Sequence, residues 1–182
     1  MLLDLGGVVF GSTGVSNEKI DWSIISKLNE RHGTGLNIGE DLFGAFMNDY
    51  NQLTKQDLRG DEFLKLVFDT LEFNQELVDF LGEKYEIIIV SDNYRENIEY
   101  ISKRYHFSEW AVQEYYSFDF EMVKADNDFF KLLLEKIKVN ADEVFFIDDS
   151  IEKIESAKRH GIKGVLYKNV VQVKKAFGEL GL

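Results

Sequence analysis

Residues 4–9 read Asp4-Leu5-Gly6-Gly7-Val8-Val9 and place a carboxylate at the end of a short apolar strand, directly before a glycine pair. Glycine permits tight turns that expose backbone carbonyls. The stretch therefore predicts a nucleophilic carboxylate oxygen beside carbonyl oxygens, an arrangement suited to metal-assisted attack on phosphate. The same letters also fit an ordinary turn after a strand. The choice between the two interpretations depends on other residues of the chain.

Two further apolar runs of the chain end in polar residues. Residues 86–90 lead into Ser91-Asp92-Asn93, and residues 143–147 lead into Asp148-Asp149-Ser150. Short apolar runs that alternate with helical patterns predict a parallel sheet with both faces covered. Because ligands of such α/β sheets bind outside the carboxyl ends of the strands, we expect these polar residues and Asp4 to share one edge.

A lysine at position 124 completes a set that resembles the four motifs of the haloacid dehalogenase-like superfamily of phosphotransferases. In the order of that family, Asp4 matches the nucleophile, Ser91 the hydroxyl of the second motif, Lys124 the lysine of the third, and Asp148-Asp149 the acidic pair of the fourth. The third motif is the looser match, because the proline that often follows its lysine is Ala125 here.

The resemblance also implies the architecture of the chain. It predicts an α/β doubly wound parallel-sheet (Rossmann-like) core formed by residues 1–14 and 73–182, with an inserted α-helical cap over residues 15–72. Within the insert, apolar residues recur at helical spacing in three stripes. We expect the first helix to begin with Ser16 or Asn17 as its N-cap and the third to run from Gly60 to about Leu71. Stretch 11–14 reads as a flexible exit from the core.

The acidic residues predict a metal centre. Asp4, Asp148 and Asp149 would bring together three carboxylates, which cannot all stay ionised without a counter-charge. Oxygen ligands and a phosphate substrate favour Mg²⁺, with the Gly6 carbonyl as a further ligand. An alternative interpretation makes Asp149 or Ser150 the N-cap of the following helix.

The remaining motif residues are candidates for phosphate binding. Ser91, Asp92, Asn93 and Lys124 would hold the transferring group, and Asp4 would form an aspartyl-phosphate intermediate with Ser91 and Lys124 as its catalytic partners. Taken singly, a lysine is most often solvated and a serine after a strand most often starts a turn. Only their position relative to the other motifs makes them candidates.

Gly6 is a departure from the family pattern. In the phosphatases and mutases of this family, the residue two after the nucleophile is usually a second Asp that moves protons, and its loss should favour aryl and acyl phosphates over alkyl phosphates. The sequence therefore predicts a Mg²⁺-dependent phosphohydrolase acting on a small phosphorylated metabolite. The alternative is a weakly active or non-catalytic phosphate-binding or regulatory protein. A haloacid dehalogenase is a distant third, because the paired Asp148-Asp149 argues against that branch.

Composition is typical of a soluble enzyme of modest size. The chain has 182 residues, a formal net charge of −12 and no cysteine. The charge argues against a nucleic-acid backbone or an anionic membrane as partner, and the absence of cysteine excludes disulfides and thiol chemistry. No leader-like or membrane-spanning run is evident, so we expect a cytoplasmic location. The sequence leaves the oligomeric state open.

Overall fold

Seven strands are present in the computed structural model, which describes residues 1–179. They are β1 (Leu2–Leu3), β2 (Phe10–Ser12), β3 (Leu71–Phe73), β4 (Ile88–Ser91), β5 (Gln113–Tyr116), β6 (Phe145–Asp148) and β7 (Lys163–Leu166). Five of them form one parallel sheet in the order β5-β4-β1-β6-β7. The chain extends the sheet from β1 toward β5 and then returns to the other side of β1. In such sheets the point where the order reverses is where ligands bind.

Within the described residues, eight α-helices connect and cover these strands. They are α1 (Trp22–Asn37), α2 (Phe43–Thr54), α3 (Gly60–Phe68), α4 (Gln75–Gly82), α5 (Arg95–Arg104), α6 (Phe129–Ile137), α7 (Ile151–Arg159) and α8 (Val170–Glu179). This order confirms the predicted α/β architecture. None of the described helices combines the length and the apolar character that crossing a membrane requires.

The sheet is buried on both faces because successive strand residues point to opposite sides. Leu3, Ile89 and Ile147 belong to one apolar cluster, whereas their neighbours Leu2 and Phe146 belong to the other. All four residues of β6 are buried, as expected for a strand of a covered parallel sheet. The central strands are therefore fixed from both sides, which holds the residues at their ends in place.

Residues 15–72 contain the three predicted helices, and the structure corrects their bounds. The first helix begins at Trp22, with Asp21 as N-cap accepting hydrogen bonds from two backbone amides, and not at Ser16 or Asn17. The third helix ends at Phe68. Leu71 instead lies in β3, which pairs antiparallel with β2, so residues 11 and 12 of the predicted flexible exit form a strand. These three-residue strands are too short to show an alternating pattern.

The helical segment packs directly on the core. Ile25, Phe46 and Phe63 belong to the same apolar cluster as Leu3 and Ile147 of the sheet. The cluster covers the sheet face on which the segment lies, and it leaves a cavity near the carboxyl end of β1.

Candidate active site

Asp4 follows β1 directly and lies at the carboxyl edge of the sheet. Its backbone N–H donates to the Ile147 carbonyl at 3.0 Å, so the ladder with β6 continues to this residue and fixes its position. The side chain is only 3% exposed. Burial raises the pKa of Asp4, the Asp148 carboxylate raises it further, and Lys124 opposes both effects. The site thus holds a carboxylate that stays ionised only with positive charge nearby.

Lys124 supplies part of that positive charge. Its Nζ lies 2.6 Å from Asp4 Oδ1 and 2.6 Å from Asp148 Oδ2, and it also donates to the Val90 carbonyl at 3.3 Å. The side chain is fully buried, with its ammonium 5.4 Å from the centre of the Phe146 ring. A buried ammonium between two carboxylates is a costly arrangement that requires close pairing. The structure therefore brings together the residues predicted for the first, third and fourth motifs.

Asp149 completes a group of three acids. Asp4, Asp148 and Asp149 each offer one carboxylate oxygen, and these oxygens lie within 4.8 Å of one another. With Lys124, the group carries a formal charge of −2, which a divalent cation would balance. An oxygen-only donor set of this kind fits Mg²⁺. The residues present therefore match the predicted metal.

Gly7 is the reason that Asp149 can approach the loop after β1. Gly7 has a φ of +72°, and a Cβ on it would lie 2.1 Å from Asp149 Oδ2. A side chain at this position would be strained and would displace the carboxylate. Gly6 is different, because a Cβ there would meet nothing within 4 Å.

Ser150 does not cap α7 with its side chain. It occupies the N-cap position without a side-chain hydrogen bond, and its backbone N–H donates instead to Asp148 Oδ1 at 2.8 Å. Asp148 thus has one oxygen held by the start of α7 and the other held by Lys124. This arrangement orients the carboxylate toward the site.

The three residues at the end of β4 have different surroundings. Ser91 is 1% exposed, at the same sheet edge as Asp4. The carboxylate of Asp92 accepts the Lys124 backbone N–H at 2.9 Å. Asn93 donates its backbone N–H to Ser117 Oγ at 3.2 Å, and its side-chain oxygen accepts from the Tyr94 backbone. Asp92 therefore positions the lysine loop, and Asn93 shapes the turn into α5.

Lys153 is a site residue that the sequence analysis missed. It lies in the first turn of α7, and its Nζ is 3.0 Å from Asp92 Oδ2. Burial alone would lower the pKa of Lys153, but the charges of Asp92, Asp4 and Asp148 outweigh burial and raise it. The ammonium is therefore a permanent positive charge beside the acids. Its place four residues after Asp149, in the first turn of the helix that follows the acidic pair, is the signal that could have identified it.

A cavity of about 270 Å³ opens between the glycine pair and the helical segment. Its floor is formed by Gly6 and Gly7, and its walls include Phe46 and Phe63 from α2 and α3. Tyr94 lies at its edge, where its hydroxyl donates to the Asn29 side-chain oxygen of α1. Burial raises the pKa of Tyr94 to about 12, so this hydroxyl remains a donor at neutral pH.

Comparisons with known proteins agree with this geometry. A family model described as haloacid dehalogenase-like hydrolase matches residues 13–167. An uncharacterized protein of Dictyostelium discoideum is 24% identical over 204 residues, covering 90% of this chain and 88% of that protein. The family match begins after Asp4, so the assignment of the nucleophile depends on the sheet-edge geometry.

Solved structures show the same fold. A haloacid dehalogenase family enzyme from Bacteroides thetaiotaomicron has a TM-score of 0.72 and 19% identity, with 92% of each chain covered. The same enzyme in complex with magnesium and inorganic phosphate has a TM-score of 0.68. A hydrolase of this kind from Porphyromonas gingivalis has a TM-score of 0.71 and 17% identity, covering 98% of this chain and 95% of that one. Because the family model spans most of the chain, the protein belongs to the haloacid dehalogenase-like hydrolases.

Proposed function

We propose that this protein is a Mg²⁺-dependent phosphohydrolase that acts on a small phosphorylated molecule through an aspartyl-phosphate at Asp4. The observation that carries the proposal is the buried ammonium of Lys124, which lies 2.6 Å from both Asp4 and Asp148, with Asp149 beside them. A structural ion pair would need one acid for one lysine. The additional acids favour a site that takes up a cation and a phosphate.

Asp4, Asp148 and Asp149, with the Gly6 carbonyl, are the residues that would hold Mg²⁺. The bound cation would offset the negative charge of the phosphoryl group as it transfers. The Bacteroides enzyme, which has been crystallised with magnesium and inorganic phosphate, supports this choice of metal and ligand.

The reaction has two displacements at phosphorus. A carboxylate oxygen of Asp4 attacks phosphorus, the bond to the ester oxygen breaks, and the leaving oxygen takes a proton from water. Water then attacks the phosphorus of the aspartyl-phosphate, the bond to Asp4 breaks, and the proton of the attacking water passes to solvent. Asp4 is regenerated, and one ester and one water give one alcohol and one phosphate.

Lys124, Ser91 and Lys153 are the residues that would bind the phosphoryl oxygens. Lys124 opposes the effect of burial on the pKa of Asp4 and balances charge in the transition state. The Ser91 hydroxyl donates to a phosphoryl oxygen from the neighbouring strand end. Because the Asp92 carboxylate is held by Lys153 and would repel phosphate, we assign any phosphate contact of Asp92 and Asn93 to their backbone.

We also propose the division of labour between the two parts of the chain. Residues 1–14 and 73–182 would form the catalytic core, and residues 15–72 would form a cap that selects the substrate and excludes water. We also propose a cytoplasmic location and a small-molecule partner. The negative charge and the absence of cysteine support these two assignments.

A weakly active phosphate-binding protein is the second candidate, and Gly6 favours it. A carboxyl at this position would supply general acid catalysis worth about 10² to 10⁴ in rate. Turnover measurements decide between the two functions.

The test is release of phosphate from acetyl phosphate with Mg²⁺ and with EDTA. Acetyl phosphate needs neither a general acid nor the cap, so an active site with Asp4 as nucleophile should hydrolyse it at a Mg²⁺-dependent rate. Binding of inorganic phosphate without any turnover would favour the second candidate. Equal rates in EDTA would contradict the metal assignment.

A further inference from the structure

The cavity beside Gly6 determines which leaving group the site can accept. Leu5, Gly6, Gly7 and Asn93 line it from the core, so a phosphate held at Asp4 and Ser91 would direct its ester group into this space. The opposite wall comes from α1, α2 and α3. The alcohol portion of a monoester bound in this way would lie here.

The lining of the cavity is neutral and strongly aromatic. Among the described residues that line it, none carries a formal charge, and the polar side chains are three asparagines, one tyrosine and one tryptophan. Phe46 and Phe63 meet edge-to-face with centroids 5.8 Å apart, as do Phe10 and Phe68 on another wall. A carboxylate or a second phosphate would lose its water here without gaining a charged partner. Aromatic guests, in contrast, gain ring contacts as well as apolar burial.

The size of the cavity limits the guest. A cavity of about 150 Å³ lined by apolar side chains is sufficient for benzene, and this one measures about 270 Å³. It therefore has room for one substituted ring or two fused rings. Asn29 and Asn97 add neutral amides that can bond to a ring substituent.

Gly6 leads to the same chemical class by an independent route. Without a carboxyl at this position, the leaving oxygen must depart without an acid, so its own acidity controls the rate. A phenol has a pKa of about 10. The O–H group of water, which resembles that of an alkyl alcohol, has a pKa of about 15.7. An aryl oxygen is therefore a leaving group that this site can release.

We propose that the substrates of this protein are phosphate monoesters of small, uncharged phenols, in which the phosphate is attached to the oxygen on the aromatic ring. The proposal rests on the phosphohydrolase function and specifies its substrate class. It excludes sugar phosphates, nucleotides with several phosphates and phosphorylated carboxylic acids as preferred substrates.

The first experiment measures binding without turnover. Calorimetry with Mg²⁺ would compare phenylphosphonate, methylphosphonate and phosphonoacetate, which share one phosphonate group and differ in the attached portion. Phenylphosphonate should bind at least roughly tenfold more tightly than each of the others, which corresponds to about 1.4 kcal/mol. Equal affinities for phenylphosphonate and methylphosphonate would overturn the proposal.

Variants of the cavity wall locate the effect. Val67 is half-buried and Trp22 is 44% exposed, and both line the cavity. Val67→Lys should reduce the phenyl-to-methyl affinity ratio and increase the relative affinity for phosphonoacetate, and Trp22→Ala should reduce the ratio alone. Val171→Lys, on the exposed face of α8, is the matched control and should leave the ratio unchanged. Ratios that stay the same in both cavity variants would contradict the proposed location.

Turnover of two esters separates ring binding from leaving-group acidity. Phenyl phosphate and benzyl phosphate both carry a ring, but only the first releases a phenol. Both should have a low KM, and phenyl phosphate should have a kcat higher by roughly 10² or more. If the protein hydrolyses acetyl phosphate but does not prefer phenyl or benzyl phosphate over glycerol phosphate, the proposed substrate class is wrong and the phosphohydrolase function stands. Strong phenylphosphonate binding with no turnover of any ester would instead overturn the phosphohydrolase function.

Discussion

The sheet edge at Asp4 and the cavity above it share Gly6 and Gly7 but have opposite electrostatic character. At the edge, buried acids and Lys124 pair at 2.6 Å. In the cavity, the described lining is neutral and aromatic. The charged side chains lie at strand ends, where neighbouring strands hold the backbone on both sides. The helical segment instead contributes side chains from three helices, and these side chains have no common polar role. This difference underlies our proposal that the core supplies reactivity and the helical segment of residues 15–72 supplies discrimination.

Asp4→Asn tests the charged region most severely. It removes the proposed nucleophile, so turnover of every substrate should fall by about 10⁴ or more. Asn has nearly the same shape, and Lys124 keeps Asp148 as partner, so the protein should still fold. Initial rates with acetyl phosphate and an aryl ester measure the effect. Asp142→Asn, which changes an exposed acid remote from the site, is the control. If Asp4→Asn retains a few per cent of normal activity, Asp4 is not the nucleophile.

Lys124→Met examines what holds the charged region together. It leaves Asp4 and Asp148 buried without their ammonium, which should cost about 3–5 kcal/mol of the free energy of unfolding. Urea unfolding in EDTA measures this loss, and Mg²⁺ should restore part of it. Lys131→Met, on the exposed side of α6, should change stability by less than about 0.5 kcal/mol. Similar stability of the two variants would mean that the ion pair contributes no stability.

Gly6→Asp would add a proton donor where the two regions meet. Since a Cβ at Gly6 meets nothing within 4 Å, the side chain should fit, and rates on alkyl phosphates should rise by about 10² to 10⁴ while aryl esters change little. Gly6→Asn is the control with the same shape and no acid. If both variants accelerate alkyl esters equally, proton donation is not the cause.

Mg²⁺ should stabilise the wild-type protein through the three acids. At a hundredfold excess over Kd, a ligand bound only to the folded state adds about 2.7 kcal/mol, measured as a rise in Tm. Asp149→Asn should abolish most of this rise, and Asp142→Asn should retain it. A Tm that does not respond to Mg²⁺ in the wild-type protein would contradict the metal site.

Asp69 gives the smallest effect and joins the cap helix to the core. Hydrogen bonds from Lys65 and Arg104 lower its pKa, and Arg104 lies on α5. The stabilisation is therefore present above the ordinary pKa of an aspartate and is lost as pH falls through the lowered value. Asp69→Asn should cost under about 1 kcal/mol near pH 7, and the difference from wild type should vanish at lower pH, as urea midpoints would show. Asp61→Asn is the control, because Asp61 pairs with Arg59 of the same segment and does not join that segment to the core. A difference that persists at low pH would exclude this ion pair as the cause.

The sequence predicted the charged edge well because its signals are local. Asp4, Ser91 and Asp148 each end an apolar run, and the ends of parallel strands must meet at one edge. Lys153 escaped prediction because its role depends on which face α7 turns toward Asp92. Helix orientation relative to a neighbouring loop is set by tertiary packing.

The helical segment of residues 15–72 was less predictable for related reasons. Its three helices follow from periodicity, but the N-cap Asp21 competes in sequence with Ser16 and Asn17, which are equally good capping residues. The cavity arises from helices distant in sequence, so its neutral lining could not be foreseen from any single stripe of apolar residues.

The glycine pair also sets the mutational options of this protein. Replacement of glycine by aspartate is a single substitution at either position, and position 6 has space for the new side chain. The same change at Gly7 would collide with Asp149. Two adjacent and chemically identical residues therefore tolerate the same substitution differently: at Gly6 it would add a carboxyl beside the acids, and at Gly7 it would displace Asp149 from the proposed metal site.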